Sequence, residues 1–165
     1  MVSTIGIYSH FKGKQGILYQ LYIDGFEKIF SIIEIIDTNV SAREVILNGV
    51  KGYLALADQY EAHYRLIFGE SDAGYSPYEK AQGMSEKAFK KLVNVSSLIL
   101  PRDTDISKKH RVALEIWAFV HGYVSLKHHA ISTLIKPDEW SSLAMSALAT
   151  HIDAIIAKHA VPISK

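Results

Sequence analysis

The chain has 165 residues, 48% of them hydrophobic, and a formal net charge of +1. Its length suits one domain, or one domain with a small appended module, and its apolar content supports a packed core rather than disorder. Because it contains no cysteine, disulfides, thiol catalysis and cysteine-ligated zinc are excluded, and a reducing cytoplasm is the expected compartment.

The N-terminus carries no basic-then-apolar signal pattern. No apolar run reaches the roughly 20 residues that cross a bilayer; the longest are interrupted by Glu34, Glu115 or His121, and no membrane association is expected. Glycine and proline cluster in a few places with helical-period segments between them. Alternating period-2 runs and Asn-Gly or Asp-Gly hairpin turns are missing. The pattern predicts an all-α fold.

The first predicted helix covers residues 3–10, with Phe11-Lys12-Gly13 as a turn. Before Asp24 the charged residues are Lys12 and Lys14, with His10 beside them. A cationic tip on a neutral body suits contact with phosphate, and its plainer reading is a solvated turn. A long amphipathic helix follows over residues 14–36. Gln20, Asp24, Glu27, Ser31 and Glu34 mark its polar face, and Leu18, Leu21, Tyr22, Ile29, Ile32, Ile33 and Ile36 its apolar one.

Ser41-Ala42-Arg43-Glu44 reads as a capping box, in which Ser41 and Glu44 satisfy each other's backbone N–H groups. The helix behind it turns Ile46, Val50, Tyr53, Leu54 and Ala57 inward and breaks between Asp58 and Glu61. A short helix over residues 62–68 and a loop over 69–77 follow. Ala81, Met84, Ala88, Leu92, Val95 and Ile99 mark the next helix, stopped by Pro101. Asp103-Thr104-Asp105 offers several N-caps for a helix reaching about His128. Its centre, from Val112 to Leu126, is apolar nearly all round, which predicts burial on more than one side. Pro137, Asp138 and Glu139 suit the first turn of a last helix that ends near His159, before Pro162. Small residues on that helix, Ala144, Ser146 and Ala147, allow close approach of a partner helix, in the same chain or another.

Two stretches carry more than structure. The segment Val2-Ser3-Thr4-Ile5-Gly6-Ile7-Tyr8-Ser9-His10-Phe11-Lys12-Gly13-Lys14 resembles the turn and recognition helix of TetR-type transcriptional regulators, with the Tyr-x-His-Phe signature and a lysine three residues after the Phe. The chemistry suits that resemblance. Ser3 and Thr4 are short polar side chains of the kind a recognition helix presents to base edges. Tyr8, Ser9, His10 and Lys14 suit phosphate contacts, which fix register on the duplex. Gly6 departs from the family, which carries a small hydroxyl residue or alanine there. Without the resemblance, the segment reads as an amphipathic helix leading into a bundle.

The second stretch, Leu114-Glu115-Ile116-Trp117-Ala118-Phe119-Val120-His121-Gly122, resembles the Trp-x-x-x-His-Gly segment of one branch of TetR-type C-terminal domains. Tyr53 and Tyr64-Arg65-Leu66-Ile67-Phe68-Gly69 also resemble that branch. The resemblance implies a remnant of the helix-turn-helix domain over residues 1–20 and an effector-binding and dimerisation domain over 21–165. It further implies two helices ahead of the recognition helix, so the sequence is expected to start within its own DNA-binding unit. A ligand pocket is expected near Tyr53, Phe68, Met84, Trp117 and His121, where aromatic and flexible apolar side chains meet one polar head. His121 also reads as a satisfied core histidine, and the two readings are compatible.

The histidines show no i, i+4 pair on one helix, and no Glu-x-x-His pair is present, so neither a metal site nor another cofactor is expected. G-x-S-x-G, phosphate-loop and G-x-G-x-x-G motifs are absent, and no enzymatic activity is expected. The cluster of Lys87, Lys90 and Lys91 and that of Lys108, Lys109 and Arg111 read as solvated faces. The expected function is a ligand-responsive regulator, repression being the commoner family behaviour. Its expected partners are operator DNA in the full-length protein, an apolar or aromatic small effector, and a second copy bound through the last two helices. The other reading is a dimerising, ligand-binding module without DNA binding of its own.

Overall fold

The computed structural model describes residues 4–33, 39–68, 79–128, 134–136 and 138–159. Among these the chain is an all-α multi-helix bundle without strands. The helices are α1 Thr4–His10, α2 Lys14–Ile33, α3 Ala42–Gln59, α4 Glu61–Ile67, α5 Glu79–Ser96, α6 Ile106–Lys127 and α7 Glu139–His159, with a 3₁₀ turn at Ser97–Ile99. No helix among them is long and apolar enough to cross a membrane. Ser3, residues 34–36, the expected loop over 69–77 and Pro137 lie outside the described residues.

Local chemistry sets the helix ends. The α1–α2 turn uses Lys12 at φ 56° and Gly13 at φ 97°, and the Gly13 N–H donates to the Tyr8 carbonyl at 2.8 Å. This left-handed cap favours glycine. A Cβ on Gly16 would lie 1.6 Å from the Phe11 carbonyl oxygen, so only glycine lets the turn fold back on α2. The capping box forms as expected: the Glu44 N–H donates to Ser41 Oγ, and the Ser41 N–H donates to the Glu44 carboxylate at 2.9 Å. Of the three candidate caps on α6, Asp105 is the one used, accepting from the Lys108 N–H at 3.0 Å.

Two boundaries differ from expectation. The break after α3 is one residue, Tyr60, and α4 starts at Glu61, because the Tyr60 N–H still closes on the Leu56 carbonyl at 2.8 Å. The stretch reaching Ile99 is not all α-helix: Ser96 and Ser97 hydroxyls bond back to the Leu92 and Val93 carbonyls, and the chain tightens into the 3₁₀ turn before Pro101.

The core has two parts. One joins α3, α6 and α7 through Ile46, Val50, Leu54, Ile116, Val120, Leu148 and Ile152, with Tyr64 of α4 inserted. The other joins α2, α4 and α5 through Tyr22, Phe26, Ile29, Leu66, Ile67 and Ala88. Glycines let α2 sit close. A Cβ at Gly25 would stand 2.4 Å from Ile67 Cδ1, and one at Gly52 would stand 2.7 Å from Ile32 Cγ2. On α6, Val112, Ile116, Val120 and Val124 are buried, whereas Leu114 and Leu126 are 52% and 49% exposed. The expected burial of α6 on more than one side is thus not met within the chain.

Candidate functional site

A cavity of about 460 Å³ lies at the seam between the two core parts. Its walls come from both: Tyr22, Phe26 and Ile29 of α2 face Val50 and Tyr53 of α3, with Phe89 of α5 and Ile116, Trp117 and Val120 of α6. Cores pack to crystal density and leave few voids, so an apolar hollow of this size is a candidate ligand site. It falls within the roughly 300 to 1,000 Å³ of small-molecule pockets.

Among the described lining residues, Glu86 is the one charged side chain, and it is exposed to solvent. The Ser96 hydroxyl is bonded to the Leu92 carbonyl. Burial pushes the Tyr22 phenol above its ordinary pKa, so its neutral form is favoured further. The interior therefore offers ring faces, aliphatic groups and neutral polar atoms.

Of the five residues expected at the pocket, Tyr53, Phe68 and Trp117 line it. Met84 does not; it is half-buried against the α2–α4–α5 part of the core. His121 does not line it either. It stands behind the wall, with ring centroids 4.9 Å from Phe68 and 6.1 Å from Trp117. The two expectations for His121, pocket residue or satisfied core histidine, thus resolve toward the second, with a connection to the first.

That connection is a chain of hydrogen bonds drawn from three helices. Trp117 Nε1–H donates to the Tyr53 hydroxyl at 3.3 Å. The Tyr53 hydroxyl bonds to that of Tyr64 at 3.1 Å, and Tyr64 bonds to His121 Nδ1. Tyr64 is completely buried and is the hub of the series, packed edge-on to Tyr53 at 5.7 Å and tilted against Phe68 at 4.6 Å.

Sequence reasoning missed Phe89, Tyr22 and Phe26 as lining residues. Tyr22 and Phe26 stand four apart, a helical-face spacing that marks core as readily as cavity wall. Phe89 sits in a lysine-rich stretch that reads as a solvated face.

The described residues expected to contact DNA lie on α1 and just after it. Ser3 is outside the described residues, and Thr4 is the first residue of α1. Tyr8, Ser9, His10 and Lys14 are all exposed, as is Lys12. Phe11 is half-buried, with the His10 ring edge-on at 4.7 Å. This surface offers hydroxyl and cationic groups to solvent with no acidic residue in α1.

No family model, curated protein or solved structure matches the chain.

Proposed function

We propose that the chain is a ligand-responsive DNA-binding transcriptional regulator, of repressor type, whose effector is an apolar or aromatic small molecule. The observation that carries the reading is the position of the cavity. Its wall includes Tyr22, Phe26, Ile29, Ile32 and Ile33 of α2, the helix that follows the exposed hydroxyl and cationic surface of α1 across one tight turn. A ligand that changes the packing of α2 acts on the element next to the DNA contacts. It shifts the population only by its differential affinity for the two arrangements. In a dimer, that shift alters the separation of two α1 helices, which must match half-sites roughly 34 Å apart.

The experiment is selection from a pool of random duplexes, followed by fluorescence anisotropy on the enriched sequence at low salt. Enrichment of a two-fold-related sequence is the expected result, with affinity falling steeply as salt rises. A bound effector should then change that affinity roughly 5- to 150-fold. Failure to enrich any sequence from a folded, dimeric sample of the full-length protein overturns the DNA-binding part and leaves the dimerising, ligand-binding module.

A further inference from the structure

The hydrogen-bond series beside the cavity has a direction. Trp117 Nε1–H is a donor only, whereas a phenol donates one proton and accepts on its oxygen. Where His121 Nδ1 is the acceptor, it takes the Tyr64 proton. Tyr64 then accepts from Tyr53, and Tyr53 accepts from Trp117, so each proton points along the series toward His121. The Trp117–Tyr53 step is 3.3 Å, longer than the usual 2.9 to 3.0 Å mode. It is also the step whose two side chains both line the cavity and are only half-buried.

We infer that the cavity takes a neutral, largely apolar ligand bearing a hydroxyl group, and that this hydroxyl replaces the long direct bond between Trp117 and Tyr53, the two side chains parting to admit it. The inference rests on the ligand-binding reading of the cavity. A hydroxyl is the small group that can stand in for both ends of that bond: its oxygen accepts from Trp117 Nε1–H, and its proton goes to the Tyr53 oxygen. The series keeps its direction and every donor keeps an acceptor. An ether accepts from Trp117 but gives Tyr53 nothing. A charged head group would leave water for a wall of aromatic rings and aliphatic side chains, a costly transfer without a buried partner, and Glu86 is exposed. The surrounding rings of Tyr22, Phe26, Phe68 and Phe89 suit a flat aromatic skeleton, so the ligand class is phenols and aryl alcohols.

The test is calorimetric titration of the full chain with four probes of one skeleton: β-naphthol, its methyl ether, naphthylmethylammonium and naphthoate. β-Naphthol should bind roughly three- to tenfold more tightly than the ether, the worth of one neutral hydrogen bond. Tyr53→Phe should bring that ratio close to one while ether affinity changes by less than about twofold. Trp117→Phe removes the donor end and should also shrink the ratio, and it carries the comparison if Tyr53→Phe fails to fold. Equal binding of β-naphthol and ether, a ratio that survives both substitutions, or preference for either charged probe overturns the inference and leaves the cavity as a ligand site. No saturable binding of any probe overturns both.

Discussion

Gly49 is a small residue with a large consequence. It lies mid-way along α3, lines the cavity, and a Cβ built on it meets nothing within 4 Å. Glycine inside a helix costs roughly 0.5 to 1 kcal/mol relative to alanine, so Gly49→Ala should stabilise the chain by about that amount, read as a rise in the urea midpoint. Gly49→Leu should project into the hollow and abolish β-naphthol binding while the protein stays folded. Native-like binding by the leucine variant would place the ligand elsewhere. At this scale the sequence was partly legible. Tyr53, Phe68 and Trp117 were found because aromatic residues of different helices had to converge somewhere in an all-α core. Met84 was misplaced because its helical register assigns it an inward face without saying which part of a two-part core that face meets. Tyr64 belonged to a recognised run, but nothing in that run indicates that its hydroxyl joins Tyr53 to His121.

At the scale of elements, the ends were more legible than the pairings. The Ser41 capping box is a local signal and forms as written. The bidentate contact of Arg43 with Asp153, at 2.6 and 2.9 Å, ties the start of α3 to α7 across 110 residues, and no local pattern announces it. Both features set a pH dependence. The Glu44 carboxyl is held below its ordinary pKa by the Ser41 hydroxyl and N–H, and the Asp153 carboxyl by its hydrogen bonds to Arg43. A carboxyl lowered in the folded state stabilises it above the ordinary carboxylate range, and that contribution disappears as pH falls through the lowered folded value. The urea midpoint should therefore drop on acidification, and Asp153→Asn should show a shallower drop than the native chain. An unchanged slope would mean that the contact is too solvated to matter. At neutral pH, Ser41→Ala removes the cap itself and should cost about 1 kcal/mol.

For the whole molecule, the question is what covers the outer side of α6. The helix is apolar on two sides. Val112, Ile116, Val120 and Val124 repeat every four residues and are buried in the chain's own core. Leu114, Ala118, Gly122 and Leu126 repeat at the same spacing two positions on. Of these, Leu114, Ala118 and Leu126 are exposed. Beside this second stripe, Leu126, Leu134 and Leu143 share a hollow with Phe119, Tyr123 and Trp140, and Leu134 and Leu143 are 78% and 41% exposed. A contiguous apolar patch of this kind is uncommon on a monomer. The small residues Ala118 and Gly122 leave room for the backbone of another helix to approach. A second copy supplies the same stripe, and a two-fold axis lets each stripe cover its equivalent. Stable homodimers commonly bury more than roughly 2,000 Å², and two stripes on neighbouring helices suit that scale. The proposed homodimer therefore predicts a dimer in sedimentation at micromolar concentration. Leu126→Glu and Leu143→Glu should each give a folded monomer. Each forfeits a leucine whose burial is worth roughly 1.5 to 3 kcal/mol, puts a carboxylate in its place, and does so twice by symmetry. Leu98→Glu is the control: Leu98 is 47% exposed in the 3₁₀ turn and does not line that hollow, and the substitution should leave the dimer intact. A native chain that sediments as a monomer, or a dimer indifferent to both glutamates, would refute this interface, and the outer side of α6 would then have to meet some other partner.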